Sequence, residues 1–224
     1  ATASDLLVVF VALEILSLAV YILTAIRRES KDGAEAAFKY FLLGGFSSAF
    51  FLYGIAFTYG IAGTTRLDEI VVVMSSQSAG NGILTYLALG LLLVGFAFKV
   101  SAVPCHMWTP DAYQGAPAVV TAFMSAGVKA AAFAAFVRVF MSAFASLQPQ
   151  WEPIVWMLSA ASMILGAVAG VAQRNVRRML AYSSVEHMGI LVLGVGLGGA
   201  GVFAALLHML NNGLTKGVLF LSAA

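Results

Sequence analysis

Uninterrupted apolar runs of about twenty residues recur along this chain, and few folds accommodate them. The first is DLLVVFVALEILSLAVYIL, residues 5–23. Such runs do not alternate apolar and polar positions, which selects helices over the strands of a membrane barrel. Only 10% of the 224 residues are charged, whereas soluble domains carry about 25%. With 61% hydrophobic residues and a mean hydropathy of +0.95, the expected solvent is lipid. Hydrocarbon offers backbone groups no partners, so each segment must satisfy its own. The expected fold class is all-α: a polytopic bundle of transmembrane helices.

Seven windows qualify as spans, at about residues 5–26, 39–63, 82–108, 117–147, 153–173, 178–198 and 201–223. The connections between them, such as RRESKDGAEAA and TTRLDEIVVVMSSQSAGN, are too short for a separate soluble domain. One transmembrane domain is therefore expected over 1–224. The chain opens ATASDLLVVF without Met and stops at LFLSAA, so a piece of a longer subunit is expected. Arg27, Arg28 and Lys31 follow the first span, and Arg174, Arg177 and Arg178 follow the fifth. Both loops are expected on one side, the cytoplasmic one, with Ala1 on the other. Stretches such as GGFSSAFFLYG and MILGAVAGVAQ read as close packing through small residues. A net charge of +2 without a basic, aromatic-interleaved cluster argues against nucleic acid as a partner.

Ionisable residues inside the apolar runs carry the functional information. Glu14 lies mid-span in the first run, Lys99 in the third, Lys129 in TAFMSAGVKAAAFAAFVRVF, and His208 with Lys216 in ALLHMLNNGLTKGVLFL. An ionised group at a helix centre costs about 2.5–3.5 kcal/mol. Glu14 can offset that cost for one lysine, not for three. Burial and like charge both penalise an ammonium, so a group held near its switching point can take up and release protons. The membrane potential supplies about 2.3 kcal/mol per charge per 100 mV, the same order of energy. Glu14, Lys99, Lys129, His208 and Lys216 are thus the candidate proton-transfer residues.

Pro104 follows Lys99 by five residues and must break the helix. The carbonyls it frees, with water admitted at the break, are expected to solvate Lys99. Trp108 and Tyr113 read as anchors at the membrane interface. His106 is either a helix-end hydrogen-bonding group or a proton carrier to the aqueous side. Arg138 is expected to snorkel. Glu186, at the start of the sixth span, is expected to pair with Arg177 or Arg178. His208, Asn212 and Lys216 are spaced by four and share one helix face. The single cysteine, Cys105, excludes a disulfide within the chain and a cysteine-ligated cluster. No haem-ligand pair or dinucleotide fingerprint occurs, so no cofactor is expected in this chain.

FKVSAVPCHMWTPDAYQGAP, followed by VTAFMSAGVKAAAF, resembles the N-type subunit of proton-pumping NADH–quinone oxidoreductase, respiratory complex I. DLLVVFVALEILSLAVYIL, EAAFKYFLLGGFSSAFFLYGIAFTYG and QRNVRRMLAYSSVEHMGIL fit the same antiporter-like family, which includes Mrp-type antiporters and subunits of membrane-bound hydrogenases. The resemblance implies a fourteen-helix fold with two inverted five-helix repeats, each with a broken helix; this chain would hold the fifth to eleventh helices. It also implies a helix-five glutamate at Glu14, a broken-helix lysine at Lys99 and a helix-eight lysine at Lys129. Proton transfer would be driven by quinone reduction elsewhere, with NADH and quinone bound only by partner subunits of a respiratory complex in a bacterial inner membrane. Such a subunit is not catalytic alone. HMLNNGLTKGVLFL and SSVEHMG look more like the L, M or hydrogenase-associated relatives, which keeps a hydrogenase subunit or an Mrp-type sodium/proton antiporter as the alternative. A retinal-based pump would need an aspartate where Asn212 stands and an acidic counterion where Lys99 stands. A structural subunit with permanent ion pairs is the remaining reading.

Overall fold

The computed structural model describes residues 2–27, 29–76 and 82–223, so Ala1 and Arg28 of the expected orientation signal lie outside the described residues. The described residues form helices joined by short turns. These are α1 (Leu6–Thr24), α2 (Lys31–Ala62), α3 (Leu67–Met74), α4 (Ile83–Val100), α5 (Trp108–Gly115), α6 (Ala118–Ala143), α7 (Gln148–Val171), α8 (Val176–Leu197) and α9 (Gly199–Ser222). Local chemistry sets their ends. Asp5 caps α1 by accepting from the Leu7 and Val8 amides at 2.8 and 3.2 Å. Ser30 accepts from Gly33 at 3.1 Å at the start of α2, and Asn175 accepts from Arg178 at 3.1 Å at the start of α8. Each satisfies a donor that the first helical turn leaves free.

Among the described residues six helices are long and apolar enough to cross a membrane: α1, α2, α4, α6, α7 and α8. The seventh expected span, α9, is 24 residues long. His208, Asn211, Asn212 and Lys216 make it too polar to count on composition alone. Two further expectations need correcting. The third span does not run to residue 108; α4 ends at Val100, where Ser101 takes a left-handed conformation with φ +62°, and the Val103–Pro104 bond is cis. The connection after α2 contains a helix, α3, whose Leu67, Ile70 and Met74 are buried. Spacings of three and four place them on one face.

An aromatic column crosses the interior. Phe51 of α2 meets Phe96 of α4 at 4.7 Å between ring centroids, Phe96 meets Phe136 of α6 at 5.6 Å, and Phe140 meets Trp151 of α7 at 5.4 Å. Helices α7 and α8 pack closely through glycine. A Cβ on Gly166 would stand 2.6 Å from the Glu186 amide nitrogen, and one on Gly189 would stand 2.9 Å from the Met163 nitrogen. Large apolar side chains cover the outside, with Ile22 72%, Phe46 67% and Val171 90% exposed. Such a surface suits hydrocarbon rather than water.

The basic loops come out at one end, as expected. Asp32, at the start of α2, and Asn175 and Arg177, around the start of α8, line one recess. At the opposite end Leu6 donates to Thr65 and Leu67 donates to Ser4, at 2.8 and 2.9 Å.

Candidate functional site

Helix α1 carries Glu14 and Ser17 one turn apart, and both meet Lys99. The lysine Nζ lies 2.8 Å from Glu14 Oε1 and donates to Ser17 Oγ at 2.7 Å. Ser17 passes its own hydrogen to the Leu13 carbonyl at 2.7 Å. Ser48 of α2 lies 2.7 Å from the same Glu14 oxygen and 2.9 Å from the Gly44 carbonyl, so its one hydrogen can serve either acceptor. Lys99 is 8% exposed, which places its charge out of bulk water and makes the carboxylate its main compensation.

The freed carbonyls at the helix break do not solvate Lys99. A helical side chain leans toward the N-terminus of its helix, and so away from a break on its C-terminal side. The carbonyls find other donors. Phe98 O accepts from the Trp108 indole at 3.1 Å and from the Ser101 amide at 3.1 Å, and Ala97 O accepts from Ala102 at 2.7 Å. The Val103 amide donates to Ser162 Oγ at 2.8 Å. Trp108 is therefore part of the break and not an interfacial anchor. It is 3% exposed and stacks on Tyr40, with centroids 4.1 Å apart and planes 7° from parallel. Tyr113, also expected at the interface, is buried. Apolar burial outweighs the interfacial preference because α5 folds back under α2 and α8.

Lys129 starts the turn after a π-helical segment, Met124–Val128, within α6. Its amide donates to the Met124 carbonyl five residues back. Such bulges recur at functional sites because they re-aim the following side chain. Lys129 is 1% exposed, donates to Ser184 Oγ at 3.2 Å, and sits 5.3 Å from the centroid of the Tyr113 ring. Lys216 is 3% exposed and donates to Ser183 Oγ at 2.7 Å. Among the described residues no carboxylate lies within ion-pair distance of either. Two ammonium groups thus approach neighbouring hydroxyls of one helix.

One residue, Gly198, joins α8 to α9, with φ +65°. That turn lays the two helices antiparallel and brings Ser183 and His187 of α8 opposite His208, Asn212 and Lys216 of α9. His187 Nδ1 and His208 Nε2 are 3.1 Å apart, a distance at which one ring donates to the other. Asn212 is buried, and its Nδ2 has no hydrogen-bond partner among the described residues. These groups line a cavity of about 590 Å³ between α7, α8 and α9, together with Glu186.

Glu186 does not pair with the basic loop. Arg178 donates to Asp111 Oδ1 at 2.7 Å and to Gln114 Oε1 at 3.2 Å, and Arg177 donates to the Ala223 carbonyl at 3.0 Å. Glu186 stands eight residues beyond Arg178, about 12 Å along the helix axis, which is too far for that contact. Burial by itself would raise the Asp111 carboxyl, but hydrogen bonds from Arg178 and Lys39 hold it below the usual aspartate value. His106 stands apart, half-buried, its ring 6.5 Å from that of Tyr182 and its Nδ1 without a partner among the described residues. Arg138 is exposed on α6 beside the first turns of α1.

The expected residues thus fall into two groups: Glu14 with Lys99, and Lys129 with Lys216 and His208. Sequence reading missed Ser17, Ser48, Ser183 and Ser184, which receive or face the charges, and the pairing of His187 with His208. The one available signal was spacing, since Ser183 and His187 are four apart on α8 and so share a face.

Helices crossing an apolar slab, one of them broken, with ionisable side chains strung through the interior, define a multi-pass membrane protein of the transporter type. The chain belongs to the family described as NADH:quinone oxidoreductase/Mrp antiporter, TM, which matches residues 3–224. It is 48% identical over 215 residues to NADH-quinone oxidoreductase subunit N of Parafrankia sp. (strain EAN1pec), covering 95% of this chain and 41% of that one. Among solved structures, respiratory complex I from Thermus thermophilus with bound aureothin holds a chain 44% identical to this one. The match covers 97% of this chain and 47% of that chain at a TM-score of 0.77. The Mrp complex from Dietzia sp. DQ12-45-1b holds another, 28% identical, covering 98% and 41% at a TM-score of 0.88. The chain spans less than half the length of these relatives.

Proposed function

We propose that this chain forms the proton-translocating core of an N-type, antiporter-like subunit of a bacterial NADH–quinone oxidoreductase in the inner membrane. The relatives' names and the family membership support the complex; the interior charges support the chemistry. The observation that carries the reading is the arrangement of the lysines. One, Lys99, has a carboxylate partner, whereas Lys129 and Lys216 meet hydroxyls and an aromatic ring and have no carboxylate within ion-pair distance among the described residues. An ion pair that served structure alone would leave no reason for two further ammonium groups in lipid.

In the proposed sequence, Lys99 holds its proton while Glu14 is at 2.8 Å and gives it up when that contact lengthens, because burial then outweighs the lost attraction. Lys129, when it is the neutral amine, accepts the proton. Protonated Lys129 repels a proton on Lys216, whose charge is passed by way of the Asn212 amide's surroundings to the His208–His187 pair and the cavity. The chain carries no redox group in this reading. NADH oxidation and quinone reduction belong to partner subunits, and the energy arrives through them.

Replacement of Lys99 or Lys129 by alanine in the full-length subunit, within the assembled complex in vesicles, tests the reading. Protons moved per quinone reduced should fall sharply while the complex still assembles. Unchanged proton movement in both variants would overturn it. The higher TM-score to the Mrp complex favours one second reading, a sodium/proton antiporter. Sodium uptake driven by a pH gradient in vesicles without NADH or quinone would establish that alternative.

A further inference from the structure

The element lying between the two lysine groups is α5, the short helix after the break. Its two aromatic residues reach the backbone beside the first group and the lysine of the second. Trp108 donates to the carbonyl of Phe98, the residue immediately before Lys99, and Tyr113 presents its ring to the Lys129 ammonium at 5.3 Å. The two rings meet edge to face at 6.1 Å. Residues 101–107 before α5 form no helix, and Pro117 follows its end.

Contacts from outside hold α5, and Asp111 makes two of them. One carboxylate oxygen accepts from Lys39 of α2 at 3.2 Å, and the other accepts from Arg178 of α8 at 2.7 Å. Each contact is reinforced on the same element. Tyr40, next to Lys39, stacks on Trp108, and Gln114, three residues beyond Asp111, accepts from Arg178. Glu35, at 2.7 Å from Lys39, steadies that lysine within α2. Asp111 thus joins the helix facing the first lysine group to the helix whose Ser183 and Ser184 hold the second.

We propose that Asp111 is a positioning residue for proton transfer: by pinning α5 between α2 and α8 it sets the placement of Trp108 and Tyr113, and through them that of Lys99 relative to Lys129. Its side chain and those of Lys39 and Arg178 are 29%, 47% and 34% exposed, so these pairs add little to stability. Their effect is geometric. Two oxygens directed to two different helices define where α5 sits, as one contact would not. This inference rests on the proton-transfer reading above.

The experiment uses the full-length subunit in the assembled complex, reconstituted in vesicles, with translocated protons counted per quinone reduced and per assembled complex. Asp111→Asn keeps the shape and removes the charge. It should assemble and move clearly fewer protons per quinone reduced, because misplaced groups exchange protons more slowly. Asp111→Glu should recover most of it. Lys39→Gln, at an exposed position that folding does not depend on, should give a smaller loss in the same direction. A normal ratio in Asp111→Asn, or in Lys39→Gln should Asp111→Asn fail to assemble, overturns the proposal. So does a variant that lowers only the amount of complex. Lys99→Ala is run in parallel: if it too leaves the ratio intact, the proton-transfer reading itself has failed, and with it this inference.

Discussion

Glu14 and Lys99, 85 residues apart in sequence, meet at 2.8 Å inside the bundle. Helix α1 supplies the carboxylate and the broken helix the ammonium, so any relative movement of the two elements changes the strength of the pair. Ser17 and Ser48 complete the shell, one accepting from the lysine and one facing the carboxylate.

Glu14→Gln removes the countercharge, so Lys99 must either release its proton or stay charged without a partner. Destabilisation of about 2–4 kcal/mol is expected. That is below the range for a fully buried pair because the Glu14 side chain is 22% exposed. The double replacement Glu14→Leu with Lys99→Met should recover most of the stability, since an apolar pair needs no desolvation, yet abolish proton movement. Thermal unfolding in detergent and vesicle assays on the same variants separate the two effects. A double variant that pumps normally would show the pair to be structural.

Ser184→Ala takes away the hydroxyl that Lys129 reaches at 3.2 Å. Losing a hydrogen bond to a charged group costs about 1.5–3 kcal/mol, here divided between stability and the protonated state of Lys129. Proton transfer should slow, and Ser184→Thr, which keeps the hydroxyl, should restore it. Equal rates in the alanine and threonine variants would contradict this role.

Trp108→Phe keeps the ring on Tyr40 and removes the indole donor to Phe98 O. The carbonyl retains the Ser101 amide, so the loss should be modest, about 1 kcal/mol. Hydrogen exchange should increase at the amides of 101–103 and not in α8. Uniform change across the bundle would argue against a local cap.

Asp5 is held below the usual aspartate value of 3.8, chiefly by the Thr65 hydroxyl, with the Val8 and Leu7 amides and the Arg66 charge adding to it against a burial penalty. A lowered value stabilises the fold above the unfolded pKa and is lost as pH falls through the folded one. Unfolding in detergent should therefore become easier below pH 3.8, and Asp5→Asn should remove that acid sensitivity while keeping the cap. Asp5→Ala should cost about 0.5–2 kcal/mol at neutral pH. An identical acid profile in Asp5→Asn is the contrary result.

The charges in lipid were legible because nothing else in an apolar run resembles Glu14 or Lys129, and burial there demands a reason. Their partners were not. A serine inside a membrane helix more often satisfies its own backbone, as Thr58 does with the Gly54 carbonyl at 2.8 Å, so its spacing carries little information. The proline announced a break beside Lys99 but not which groups would take the freed carbonyls. Trp108, which donates to the Phe98 carbonyl, comes from beyond the break, and Ser162, which accepts from the Val103 amide, comes from another helix. Arg178 was read against Glu186 on its own helix, whereas Asp111 reaches it from 67 residues away. Contacts within a helix follow from counting; contacts between helices depend on how α5 folds back.

Ser183 and Ser184 are consecutive, so their side chains leave α8 about 100° apart around its axis. Each faces a different lysine. Any rotation of α8 about its axis therefore changes both contacts at once. One rigid element thus bears on both lysines, so a displacement of α8 at either hydroxyl is felt at the other.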